Sequence, residues 1–184
     1  MVFRHCLLFV LLTVTVYTDM AEGKIYNWCT IPALAVGLGT NYVLGGLLEG
    51  GVTGTNLLSS LIALGIVAVL FGWPYIRGGI AAGDVKFMLA VAAIGGLHNF
   101  YTAYALLYSA LIGALMALLV FIWRGELRSG LGKAIRFTFS TGRIEEMGDD
   151  EEEKDAPITI PYGCAIAIGS IIAWYIVELP AGPS

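Results

Sequence analysis

Long apolar runs separated by short polar breaks extend along the whole chain, and the breaks mark the elements. Behind M-V-F-R-H, the stretch Cys6 to Tyr17 is apolar and predicts a short first membrane span. It also has the basic and apolar regions of a secretory signal, but the following T-D-M-A-E-G offers only a poor small-x-small cleavage site, which favours a retained span. The segment D-M-A-E-G-K-I-Y-N-W is polar enough to leave a bilayer. A second span is expected from about Thr30 to Leu48, then a Gly/Thr/Asn turn from Glu49 to Asn56, then a third span from Leu57 to Trp73. Pro74 to Arg77 predicts a tight connection. A fourth span lies within Gly78 to Gly96, a fifth runs from about Phe100 to Trp123, and a sixth from about Ile158 to Leu179. No internal repeat of useful length is present.

A helical span takes about 20 residues, so six of them leave no room in 184 for a soluble catalytic domain. The expected fold is all-α: a polytopic integral membrane protein of about six transmembrane helices. It forms a single membrane-embedded domain over residues 1–184, with a loop over about 124–156 between spans five and six. Composition agrees, with 58% hydrophobic residues and only 13% charged. The formal charge of −4 is dominated by an acidic tract from Glu145 to Asp155, and no basic surface for nucleic acid is evident. Cys6, Cys29 and Cys164 lack the paired spacing of a zinc site or disulfide framework and read as small apolar fillers. His5 and His98 fall at opposite ends of different segments, and no G-x-S-x-G pattern occurs, so neither metal nor nucleophilic chemistry is expected, and no cofactor.

Basic residues set the orientation. The loops after spans one, three and five hold Lys24, Arg77, Arg124, Arg128, Lys133, Arg136, Arg143 and Lys154, whereas the opposite side has Arg4. Those loops are therefore expected in the cytoplasm and both termini outside. Within the last loop, Leu127, Leu131, Ile135 and Phe139 recur every four residues among basic ones, the pattern of an amphipathic helix on an anionic membrane surface. The acidic tract beyond them reads as a solvated run, with docking of a basic peptide as the sharper alternative.

One charge stands out against this background. Asp84 lies in G-G-I-A-A-G-D-V-K-F-M-L-A-V-A-A-I-G-G, where an acid at the centre of a bilayer costs about 2.5–3.5 kcal/mol and usually faces protein or a cavity. Gly79 and Gly83 form a G-x-x-x-G pair suited to close helix packing. In the inferred topology Asp84 sits near the cytoplasmic end of its span, and Asp19 ends span one at the same depth. Two such carboxylates cannot both ionise comfortably; they share a proton, one acting as base and the other as acid, as in aspartic proteases. Phe87, Met88 and Val91 share the face of Asp84 and read equally as cleft lining or as core. Lys86, about 200° round the helix from Asp84, is expected to reach for the interface rather than the pair, and Glu22 reads as a solvated loop acid. Paired intramembrane acids also suit an ion or proton transporter.

Three segments together resemble the type IV prepilin peptidases, including the archaeal preflagellin peptidases. Asp19 followed by K-I-Y-N (Lys24 to Asn27) is similar to that family's Asp, basic residue and I-P-N; A-A-G-D-V-K (Ala81 to Lys86) is similar to G-x-G-D-x-K; and I-P-Y-G-C-A-I-A-I-G (Ile160 to Gly169) is similar to the opening of the last span. Ala81 stands in place of the first glycine and Tyr26 in place of the proline. The resemblance implies a membrane aspartic endopeptidase with Asp19 and Asp84 as the catalytic pair. Asn27, Gly83, Lys86, Pro161 and Gly163 would be substrate-binding or site-shaping residues. It further implies a prepilin-like substrate whose short basic leader is cut at the cytoplasmic face of the cell membrane. No metal or cofactor is implied, and the long forms' cysteine-bearing N-terminal domain has no counterpart here. Presenilin-type proteases also use G-x-G-D, but their late P-A-L motif does not occur after Asp84. A noncatalytic scaffold of a pilus or secretion system is the remaining alternative.

Overall fold

The computed structural model describes residues 2–78, 80–124 and 162–178, and all regular structure among them is helical. Six α-helices are described: α1 (Val2–Glu22), α2 (Asn27–Gly45), α3 (Leu57–Ile76), α4 (Ala82–Gly95), α5 (Tyr101–Arg124) and α6 (Tyr162–Glu178). Among the described residues, Val2–Glu22, Leu57–Ile76 and His98–Val120 are long and apolar enough to cross a membrane, and Tyr162–Glu178 is a shorter apolar helix. Gly79, Pro161, the amphipathic pattern from Leu127 to Phe139 and the acidic tract lie outside the described residues.

By packing, the chain divides into Met1–Gly113 with Pro161–Ser184, and Ala114–Ile160. In the second unit the described part is the helical end of α5 through Arg124. The first unit is organised around α4, which packs against α1, α2, α3 and α6. Phe87, Met88, Val91 and Ile94 are buried there, so the cleft-or-core alternative for the first three resolves as core.

Close contacts hold α2 to α4. A methyl group at Gly37 would come within 2.8 Å of Ile94 Cγ1 and 2.9 Å of the Ile94 backbone nitrogen, so only glycine permits this approach without a shift. One turn on, buried Asn41 aims its amide nitrogen at Ser60 Oγ (2.6 Å) and at the carbonyls of Ala93 (3.0 Å) and Ile94 (3.1 Å). Its two N–H groups thus serve the orphan carbonyls at the C-terminal end of α4 and tie α2 to α3. Asn56 caps α3, its side chain accepting from the Ser59 N–H at 2.8 Å.

Several boundaries differ from the sequence expectation. α1 continues past Tyr17 to Glu22, where Gly23 at φ +63° closes the helix by donating its N–H to the Asp19 carbonyl at 2.9 Å. α3 runs through Pro74 to Ile76 instead of stopping at Trp73, since a proline removes one backbone hydrogen bond without forbidding the turn. α4 is the largest departure. The expected fourth span, drawn within Gly78 to Gly96, yields 14 helical residues beginning only at Ala82. Gly78, at φ +77°, adopts a conformation that a helix cannot use. The helix is about 21 Å long, shorter than the roughly 30 Å of a hydrocarbon core, and protein surrounds most of it.

Candidate active site

The late start of α4 changes the setting of Asp84, which belongs to the first turn of the helix rather than to its interior. There the exposed backbone N–H groups and the helix dipole favour a negative charge, so the helix itself offsets part of the cost of burying the carboxylate. Asp84 is buried, as is Asp19 in the last turn of α1. The two carboxylates, far apart in sequence, lie within electrostatic reach of each other.

The third wall is the start of α6. A methyl group on Gly163 would sit 2.5 Å from Asp19 Oδ2 and 3.1 Å from its Cγ, so the bare Cα of this glycine makes room for the carboxylate. The Gly163 backbone N–H is directed at Asp19, while Oδ2 itself has no hydrogen-bond partner among the described residues. An unpartnered buried carboxylate oxygen is costly in a purely structural role. Beside Gly163, Tyr162 lies within electrostatic reach of Asp84 and Cys164 within that of Asp19.

The remaining described site candidates make contacts of their own. Gly83 does not open onto a free cleft: a methyl group there would stand 3.0 Å from Ile25 Cβ, because the α1–α2 link crosses the first turn of α4. Lys86 Nζ donates to Asn27 Oδ1 at 2.9 Å, an exposed bond that fastens the start of α2 to α4. In this arrangement the described partner of Lys86 is Asn27. Exposed Glu22 accepts a hydrogen bond from the Tyr26 hydroxyl, which holds that phenol above its ordinary pKa. Both departures from the family motifs sit in relaxed backbone: Ala81 is the N-cap of α4 at φ −72° and Tyr26 the N-cap of α2 at φ −84°. Among the described residues no cluster of three or more His, Cys, Asp or Glu side chains is placed to hold a metal ion.

A second polar group lies at the other end of α1, about 22 Å from Asp19 at 1.5 Å per residue. His5 and His98, which belong to segments remote in sequence, line one small cavity here with Arg4, Tyr101, Trp174 and Glu178. His5 Nε2 pairs with Glu178 Oε1 at 3.2 Å; buried Arg4 donates to Thr55 Oγ1 at 3.0 Å, and Thr55 in turn meets His98 Nδ1 at 3.3 Å. Periodicity could not have found this group, which depends on α6 returning antiparallel to α1. That return is pinned at one end by Glu178 and at the other by Gly163.

A model of the type IV leader peptidase family matches residues 6–118. The chain belongs to that family. The matched region includes both aspartates and ends before α6, so Tyr162 and Gly163 lie beyond it. No curated protein and no solved structure matches the chain significantly.

Proposed function

We propose that this leader-peptidase family member is a membrane aspartic endopeptidase that removes the short basic leader of type IV prepilin-like proteins at the cytoplasmic face. The observation that carries the proposal is that Asp19, in the last turn of α1, and Asp84, in the first turn of α4, are both buried and lie within reach of each other's charge. In the proposed mechanism the pair holds one proton. The ionised carboxylate takes a proton from water as the water oxygen attacks the scissile carbonyl carbon, and the protonated carboxyl donates to the carbonyl oxygen. The resulting gem-diol collapses as the first carboxyl passes the proton it took from water to the leaving amine and the second carboxylate takes back a proton from a gem-diol hydroxyl, which returns the pair to its starting state. Asp19 Oδ2, buried against Gly163 and without a hydrogen-bond partner among the described residues, supports this reading.

The topology belongs to the same proposal: six spans in one peptidase domain, both termini outside, and the aspartates near the cytoplasmic surface beside Lys24 and Arg77. In this arrangement α4 needs no lipid-facing length because its neighbours shield it. The test is to incubate membranes containing the protein with a prepilin bearing a basic leader and glycine at the cut site. A shortened product with a new N-terminus after that glycine is expected. Uncut substrate across a panel of prepilin leaders would contradict the proposal and leave the scaffold alternative, whereas proton flux in vesicles without cleavage would favour a transporter.

A further inference from the structure

Tyr162 is the first residue of α6, and its ring is held from two sides. It packs against Phe71 of α3 with ring centroids 6.4 Å apart, and any side chain at Gly113 of α5 would run into its edge. The ring is therefore positioned by three helices. Its hydroxyl is not used by that packing: among the described residues it has no hydrogen-bond partner, and the half-buried residue leaves it accessible. Polar groups in such settings ordinarily find a partner, and a free donor on a fixed ring is suited to a partner that arrives with substrate.

The chemistry beside it has use for such a donor. Two carboxylates sharing one proton offer several acceptors but a single O–H, and that proton is consumed in polarising the scissile carbonyl. As the carbonyl oxygen gains negative charge, a second preorganised donor stabilises the transition state more than the ground state. Tyr162 adjoins Gly163, where an added methyl would meet Asp19, and lies within electrostatic reach of Asp84.

We propose that the Tyr162 hydroxyl is a further catalytic group, donating a hydrogen bond to the oxygen of the scissile carbonyl while negative charge builds on it in the transition state, ahead of full proton transfer from the carboxyl. The phenol keeps its proton throughout, so no bond of Tyr162 is made or broken. This inference rests on the peptidase function proposed above.

Tyr162→Phe tests it with little disturbance, because phenylalanine preserves the contacts with Phe71 and Gly113 and removes only the hydroxyl. Wild type, Tyr162→Phe and Asp84→Asn would be assayed on the same prepilin in detergent, with kcat, KM and melting temperature measured for each. Loss of one oxyanion donor typically lowers kcat by about 10²–10³-fold, and for a donor open to water a fall of at least about tenfold is expected, with KM and melting temperature unchanged. Wild-type kcat in Tyr162→Phe, alongside an inert Asp84→Asn, would overturn the role of Tyr162 and leave the aspartate mechanism standing. A fall accompanied by a lower melting temperature would also overturn it, by assigning the effect to packing. An inert wild type would instead overturn the peptidase function and this inference with it.

Discussion

Gly163→Ala adds one methyl group at the point where α6 meets Asp19. That methyl would lie 2.5 Å from Oδ2, 3.1 Å from Cγ and 3.4 Å from Cβ of Asp19. Restoring ordinary contact requires the carboxylate to retreat by roughly 0.7–1 Å. Its Oδ2 has no hydrogen-bond partner among the described residues, so the side chain swings aside more readily than the helices separate. Overpacking of this kind costs about 1–3 kcal/mol, offset by up to ~1 kcal/mol from replacing glycine with alanine in a helix, so the net loss of stability is expected to stay below about 2 kcal/mol. Catalysis should suffer more, since a displacement near 1 Å in a reacting group costs on the order of 10²-fold in rate, or about 2.7 kcal/mol of transition-state stabilisation. Leader cleavage by purified protein, followed as kcat/KM with the melting temperature in parallel, measures both. Gly65→Ala on α3 is the control, because a methyl there meets nothing within 4 Å and should leave activity unchanged. If Gly163→Ala cut within about threefold of wild type, Asp19 would not be working from its position against α6.

Two further substitutions separate framework from chemistry. Asn41→Leu strands the carbonyls that the amide serves at the end of α4, and unfolding in detergent should show a loss of about 1–3 kcal/mol; unchanged stability would mean those groups find other partners. Lys86→Met breaks only the exposed bond to Asn27, so kcat/KM should fall by no more than about fivefold; a loss near 10²-fold would place Lys86 in the catalytic machinery.

Much of the site was legible in the sequence because it depends on features that act locally. An acid in an apolar run, a second acid at matching depth and the basic bias of alternate loops point to Asp19 and Asp84 as a candidate pair, and both are buried within electrostatic reach of each other. The motif segments also located Gly163 and Gly83, although the neighbour of Gly83 is Ile25 of its own chain rather than a substrate. The start of α4 was harder to place, since hydropathy runs smoothly through Gly78 to Ala81 while backbone conformation breaks there. Tyr162 looked like one aromatic in an apolar opening, and only its seat against Phe71 and Gly113 distinguishes it. The Arg4, His5, His98 and Glu178 group could not be read from spacing, because three separate elements meet to form it.

The claim at the centre of the account is that Asp19 and Asp84 act together as acid and base. Each should be replaced singly by asparagine, which keeps size and polarity but cannot exchange the proton, and both variants assayed in membranes on a prepilin that wild type cuts. The account predicts that each substitution alone abolishes cleavage while both proteins remain folded in the membrane. Cleavage at the wild-type rate by either variant would contradict it.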